Sequence, residues 1–342
     1  MRYSILAIAL AGSIGMFADT EDQLRRSIPI NASGRLVLGA DWGAITVRPG
    51  TTRSAEIGVY FRGNPRSRAE FDRMLRDFSL DVSQVGTDIR VNGRFKDGWK
   101  LSPFGGFWGW FSQEICRENR CLEYTWLRQI EYRVSVPREF SVDLSTSGGS
   151  IAVGDLKGDV DARTSGGELS FGHIDGPVRG NTSGGAISLE GSRGKAVLRT
   201  SGGGIRVDDA GGEVDASTSG GSIQIQRARG RVSAHTSGGS VTVRETSGAV
   251  DVSTSGGSVN ASLIAQPNET SRISTSGGSI TIEVPRSVRL DVDASTSGGG
   301  VSTDFPVAAV SGERQSLRAP INGGGPLLQL RTSGGGISIQ KR

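Results

Sequence analysis

The sequence predicts an all-β fold: a parallel β-solenoid (β-helix) of 18-residue coils, carrying one short amphipathic helix and an aromatic/Cys insertion. Three observations predict it. Thr146-Ser147-Gly148-Gly149 returns at Thr164, Thr182, Thr200, Thr218, Thr236 and Thr254, each 18 residues after the last, then at wider spacing at Thr275, Thr296 and Thr332. Within each period, apolar residues two apart form two groups, as at Ile205/Val207 and Val214/Ala216. Alternate side chains of a strand share a face, so each period holds two short strands with one inward stripe. Glycines recur at both connections: Gly149, Gly167 and Gly185 at one corner, Gly158, Gly176, Gly194, Gly212, Gly230 and Gly248 at the other. There they permit positive φ and close backbone approach. A β-sandwich would also give many short strands but does not require a constant period.

Residues 1–18 read as a signal peptide. Arg2 supplies the positive start, Ile5 to Phe17 the apolar core, and Ala18 a small residue before the acidic Asp19-Thr20-Glu21-Asp22. The apolar run is shorter than a spanning helix needs, and no second run of spanning length follows. No Cys follows it, so lipoprotein attachment is not expected. The mature chain is expected to be exported, periplasmic or extracellular at the cell surface, with no integral membrane segment.

Residues 19–98 form an N-terminal β region. Leu36/Leu38 and Ile45/Val47 repeat the two-strand pattern, and Gly43-Ala44-Ile45-Thr46-Val47 resembles half a coil, so the solenoid is expected to begin near Ser33. Ile57, Val59 and Phe61 continue as strand. The period then changes: over about 67–78, Phe71, Met74, Leu75 and Phe78 fall on one helical face, which predicts an amphipathic helix covering a sheet end. Leu80/Val82 and Ile89/Val91 return to strand.

Residues 99–123 are the aromatic and disulfide loop. Trp99, Phe104, Phe107, Trp108, Trp110 and Phe111 lie among Gly105, Gly106 and Gly109, and three of the five tryptophans are here. Aromatics on a Gly-rich loop stack on sugar rings or sit at a membrane interface. Alternatively they fold back as a cap that shields a sheet edge. Both readings stand, and these six residues are the candidate binding surface. Cys116 and Cys121, the only cysteines, read as one disulfide in an exported chain. Two thiols without a nearby His make half a metal site, so no metal is expected.

Residues 124–342 are the repeat solenoid. Tyr124 to Val136 alternates into it, and the coils lengthen at Pro267 and Pro285. An insertion runs from Thr303 to Gly325, after which Leu328/Leu330 and Ile337/Ile339 are expected to close the stack. The motif threonines share parity with the inward Val160 and Ala162, which predicts a Thr ladder along the inner corner.

Three features resemble the bacterial "putative adhesin" family, a domain-of-unknown-function group of Gly-rich β-solenoids. They are Val136-Pro137 leading into the Thr-Ser-Gly-Gly ladder, the repeated Gly-x-Ile-x-Val half coil, and the closing Gly323-Gly324-Gly325 … Leu328-x-Leu330 … Gly336-Ile337-x-Ile339. The resemblance runs from about Ser33 to the end and leaves out the aromatic and Cys segment. It implies a surface protein whose task is adhesion-like contact.

Composition narrows the rest. Hydrophobic content of 35% is low for a packed globule but sufficient for the narrow inward stripes of a solenoid. With 39 basic and 35 acidic residues scattered along the chain, no basic stripe forms, and nucleic acid is not an expected partner. His173 and His235 project outward with no evident partner, and the corner serines have no base to activate them. Asp143, Asp161, Asp215, Asp251 and Asp293 recur just before the ladder, but Arg179 interrupts the row, as do Leu198 and Ala234 beside it. No catalytic residue and no cofactor is expected. The expected function is therefore an exported, non-enzymatic, adhesin-like envelope protein, contacting a cell-surface glycan, envelope or protein partner. The alternatives are a carbohydrate-active enzyme on a β-helix and a self-associating scaffold.

Overall fold

The computed structural model describes residues 22–342 except 31–32, 52, 64, 66, 96–99, 102–113, 118–119, 124–126 and 308–313. The expected signal peptide at 1–18 lies outside the described residues. The chain forms two compact units, Met1–Ser150 and Ile151–Arg342.

The first unit contains β1 (Asp22–Pro29), β2 (Gly34–Ala40), β3 (Ala44–Gly50), β4 (Ser54–Gly63), α1 (Arg68–Asp77), β5 (Phe78–Val85) and β6 (Asp88–Phe95). Beyond these lie β7 (Lys100–Leu101), β8 (Glu114–Arg117), β9 (Arg120–Glu123), β10 (Leu127–Pro137) and β11 (Phe140–Thr146). One set of neighbours runs β1-β4-β10-β3, another β11-β2-β6-β5. The long strand β10 inserts between β3 and β4: Val134 pairs with Val47 in parallel and with Ile57 antiparallel. Alternate residues are buried, including Leu36, Leu38, Ile45, Val47, Ile57, Val59, Ile89 and Val91. Each such side chain contributes about 1.5–3 kcal/mol on leaving water.

Helix α1 forms where the apolar spacing predicts it. Ser67 caps it, its hydroxyl accepting the Glu70 N–H at 3.3 Å, and Phe71 and Met74 are the buried face. Phe78 lies just past the last turn and opens β5. Phe61 meets Phe71 and Phe78 edge-on, with ring centroids 6.5 and 5.1 Å apart.

The second unit is the solenoid. Strands of successive coils pair parallel and in register, so Ile187, Ile205, Ile223, Val241 and Val259 form one buried column. The Thr ladder points inward. The Thr182 hydroxyl donates to Gly167 O at 2.8 Å, and Thr200, Thr218, Thr236 and Thr254 repeat the bond to the coil before, each at 2.8 Å. The same hydroxyl accepts the N–H three residues on, as Thr182 does from Gly185 at 3.4 Å. One side chain therefore holds its own corner and ties it to the next. Each corner needs glycine because of space, not because of positive φ. A Cβ on Gly221 would lie 2.1 Å from Gly203 O. Of the positive-φ glycines among the described residues, at 43, 86, 323 and 324, Gly43 lies at a ladder corner of the first unit, where its carbonyl accepts the Thr146 hydroxyl at 2.9 Å, and the other three lie elsewhere.

The far end departs from the expected order. The last coil does not lie outermost: Leu327–Thr332 inserts between Ser271–Thr275 and Leu290–Thr296, parallel to both. The Thr332 hydroxyl donates to Gly278 O at 2.7 Å, and the Thr296 hydroxyl to Gly335 O at 2.6 Å, so the ladder runs through the inserted coil. The insertion supplies the reason. Ser316–Ile321 pairs antiparallel with Leu290–Thr296 and occupies its outer edge. A turn at Asn322, Gly323 and Gly324, with φ of 50°, 90° and 81°, then sends the chain back into the stack. Asn322 Nδ2 holds that turn by donating to Arg286 O and Val288 O at 2.9 and 2.7 Å. No helix among the described residues is long and apolar enough to cross a membrane.

Candidate functional site

Trp99, Phe104, Phe107, Trp108, Trp110 and Phe111 lie outside the described residues. Strands β7, β8 and β9 form a small antiparallel sheet in the same stretch, and their register sets Cys116 opposite Cys121. The side chains of the two cysteines are not among those described, so the expected disulfide falls outside the described structure.

The described residues of the first unit contain a different candidate. A groove of about 830 Å³ lies on the face of β1-β4-β10-β3, within the ~300–1,000 Å³ range of ligand clefts. Strand pairing builds it in rows. Arg25, Gly58, Arg133 and Thr46 lie side by side across the four strands, and Ser27, Glu56, Ser135 and Arg48 form the next row. Gly58 leaves room that Tyr60 fills, since a Cβ there would come 2.8 Å from the Tyr60 ring. The Arg133 guanidinium stacks over that ring, 4.2 Å from its centroid.

The groove's charges are of two kinds. Glu131 accepts from Arg133 Nη2 at 2.8 Å and lies 3.9 Å from Arg62. The Arg133 hydrogen bond is the main reason its carboxyl is held below the usual range. Arg25, Arg26 and Arg48 are exposed and have no carboxylate partner among the described residues. With four arginines against two glutamates along its walls, the groove is net cationic. The alternation of Thr46 and Arg48 with buried Ile45 and Val47 is visible in the sequence. The insertion of β10 between β3 and β4, which assembles the rows, is not.

The recurring aspartates of the second unit are occupied. Asp161 pairs with Arg163 at 2.5 Å, Asp215 with Arg199 at 2.7 Å and Asp251 with Arg231 at 3.2 Å. Asp293 pairs with both Arg331 at 2.5 Å and Arg318 at 3.1 Å. Hydrogen bonding to Arg331 is the largest influence holding the Asp293 carboxyl below its usual range. Both histidines have partners, contrary to the sequence reading. His235 lies between the hydroxyls of Ser233 and Ser253 at 2.9 and 2.7 Å. His173 Nδ1 is 3.6 Å from an Asp155 oxygen and 3.5 Å from a Glu190 oxygen. Contacts across coils depend on register, which offsets of 18 and 17 residues reveal only once the coils are stacked.

The repeat architecture and its ladder have a counterpart among known families. Residues 127–340 match the family described as Toastrack DUF4097, which is more than half of the chain. The chain belongs to the Toastrack DUF4097 family. The Toastrack match begins with β10, so it includes Arg133 but not the groove residues on β1, β3 and β4. No curated protein matches the chain. Among solved structures, this Toastrack chain is similar at 11% identity to a "putative adhesin" of Bacteroides fragilis, with a TM-score of 0.31 over 94% of this chain and 98% of that one. It is similar, also at 11% identity, to a "putative lipid binding protein" of Parabacteroides distasonis, with a TM-score of 0.37 over 94% and 97% of the two chains. A "putative cell adhesion protein" of Clostridium sporogenes matches at 11% identity and a TM-score of 0.22, over 94% and 100%.

Proposed function

We propose that this protein is an exported, non-enzymatic, adhesin-like protein of the cell envelope. It acts by contact, and its contact surface is the arginine groove of the first unit. The observation that carries this reading is the contrast inside that groove: Glu131 and Arg133 lock each other, while Arg25 and Arg48 are left for an outside anion. Neighbouring strands are about 4.8 Å apart. Arg25 and Arg48 are three strands apart, which spaces their positions by roughly 15 Å, and Ser27, Thr46 and Ser135 supply neutral hydroxyls beside them. That arrangement fits an anionic glycan carrying charges at intervals along its length. The aromatic loop at Trp99 to Phe111 is a second contact surface on this proposal. The catalytic alternative is disfavoured by the guanidinium groups on Asp161, Asp215, Asp251 and Asp293.

The test is binding of the purified protein to immobilised polygalacturonate and to neutral dextran, across a salt series. Arg25→Ser/Arg48→Ser is compared with the parent and with a variant carrying Phe107, Trp108, Trp110 and Phe111 all changed to Ala. Binding to the anionic polymer that falls with salt and drops at least tenfold in the arginine variant is expected. Equal binding to both polymers, or an arginine variant that binds as the parent does, overturns the groove assignment. Steady release of reducing ends from either polymer overturns the non-enzymatic reading.

A further inference from the structure

We propose that Asp155, His173 and Glu190 form a binding site for a divalent transition-metal ion on the outer surface of the solenoid. The three residues come from three successive coils. Leu156 bridges to Ile174, which sets Asp155 beside His173, and His173 pairs with Gly191, next to Glu190. One ligand atom from each side chain lies within 4.8 Å of the other two. Nδ1 of His173 is 3.6 Å from the Asp155 oxygen and 3.5 Å from the Glu190 oxygen. Ligands on a tetrahedral zinc, with bonds of about 2.0–2.1 Å, are about 3.3 Å apart. The two separations from His173 are therefore a few tenths of an ångström from those of a bound ion, and the two carboxylate oxygens lie within 4.8 Å of each other.

Three further features fit a metal better than an ordinary surface ion pair. First, the site has room made for it. A Cβ on Gly172 would lie 2.6 Å from Asp155 Oδ1, and one on Gly191 would lie 2.9 Å from His173 Cδ2. Both side chains therefore lie over glycines that leave their places clear. Second, the Asp155 carboxylate is oriented, because the His173 backbone N–H donates to its Oδ1 at 2.8 Å. Such outer bonds fix the direction of a ligand in metal sites. Third, the charge is uncompensated. Neither Asp155 nor Glu190 has an Arg or Lys partner among the described residues, whereas neighbouring Asp175 has Arg193 at 2.7 Å. Two carboxylates and one imidazole nitrogen converge on one point.

The ligand set selects the class of ion. An imidazole favours Zn²⁺, Cu²⁺ and Ni²⁺ over Mg²⁺ and Ca²⁺, and the two carboxylates accept all of them. Three protein ligands leave at least one position open to water or to an outside donor. Once bound, the ion would tie three coils together on their outer side, where the Thr ladder ties them on the inner side.

The experiment uses tag-free protein with its cysteines oxidised, stripped with chelator and dialysed. Zn²⁺ is titrated by calorimetry, and Co²⁺ by its visible absorption, with Ca²⁺ as the control. We expect one Zn²⁺ per chain, a Co²⁺ band, a higher Tm in zinc and no response to Ca²⁺. His173→Ala and Asp155→Asn/Glu190→Gln should each weaken Zn²⁺ binding at least tenfold and abolish the zinc-dependent Tm rise. His235→Ala, which removes the only other histidine, should leave both unchanged. The three side chains are exposed, so these variants should keep the metal-free Tm of the parent. Absence of Zn²⁺ binding at 100-fold excess overturns the proposal. So does binding that survives His173→Ala or is lost in His235→Ala.

Discussion

The two units solve the same problem, a stack of short strands, in different ways. In the second unit each coil repeats its neighbour: a buried Thr hydroxyl bonds a glycine carbonyl 15 residues back, and outward aspartates meet arginines of their own or nearby coils. In the first unit parallel and antiparallel pairing are mixed, a helix is inserted, and arginines on two of the four groove strands, β1 and β3, are exposed with no carboxylate partner among the described residues. The difference teaches where to look for recognition. Repetition satisfies its own polar groups and leaves little for a ligand to take. Where the repeat is broken, as around β1, β3 and β10, unmatched groups remain at the surface. The His173 cluster follows the same rule, since Gly172 and Gly191 replace the larger residues that other coils carry beside it.

The largest effect should come from the corners of the repeat. Gly221→Ala places a Cβ 2.1 Å from Gly203 O, a backbone atom held between two coils that cannot step aside. A loss of about 3 kcal/mol or more is expected in chemical denaturation, with the transition of the solenoid broadened. Gly86→Ala in the first unit meets nothing within 4 Å and is opposed only by its φ of +64°. It should cost about 1–2 kcal/mol. Equal costs at the two sites would mean that the corners can spread, and the contrast between the units would fail.

Buried hydroxyls should then change stability in opposite directions. Thr218 donates to Gly203 O at 2.8 Å and accepts from Gly221 N at 3.4 Å, so Thr218→Val leaves two backbone groups short of a partner. About 1–3 kcal/mol should be lost, and Thr218→Ser should recover most of it. Tyr132 of the first unit is fully buried and its Oη has no hydrogen-bond partner among the described residues. Burial, with Asp41 as a lesser cause, pushes its phenol far above the usual range. Tyr132→Phe should therefore hold or raise stability, by up to about 1 kcal/mol. A loss on Tyr132→Phe would show that the hydroxyl is used.

How much of this was legible follows from what repeats. The 18-residue spacing of the motif, the parity of its threonines and the two-apart apolar pairs determine the parallel coils and the inward ladder, because a solenoid's neighbours are its own next repeat. The helix is legible for the same local reason: Phe71, Met74, Leu75 and Phe78 fall on one helical face, while the Ser67 cap is seen only in the structure. The groove was not. Arg25, Arg48 and Arg133 span more than a hundred residues, and no spacing rule predicts that β10 enters between β3 and β4. The terminal coil was misplaced for a related reason. Leu328 and Ile337 carry the ordinary repeat pattern, and nothing local to them says that Ser316–Ile321 has already taken the outer edge. Sequence periodicity gives the kind of coil, but not its order once an insertion lets the chain double back.

The smallest expected effect concerns acid, and here both units should respond in the same direction. Arg331 holds the Asp293 carboxyl low in the second unit, and Arg133 does so for Glu131 in the first. Each carboxyl's folded value lies below its unfolded one, so its contribution is complete above the unfolded range of about 3.9–4.3 and is lost as pH falls toward the folded value. Asp293→Asn and Glu131→Gln should each reduce stability near neutral pH by no more than about 1 kcal/mol and flatten the acid limb between pH ~4.5 and ~2.5. The measurement is denaturant stability across that range at two salt concentrations. The two pairs differ in what surrounds them. Asp293 is engaged by two arginines, Arg331 and Arg318, whereas Glu131 shares its groove with Arg25 and Arg48, which have no acid of their own among the described residues. Removing Glu131 should therefore raise the groove's positive charge and strengthen its salt-sensitive binding to polygalacturonate, while removing Asp293 should leave that binding unchanged. If the two variants change binding alike, the unmatched arginines of the first unit are not what holds the ligand.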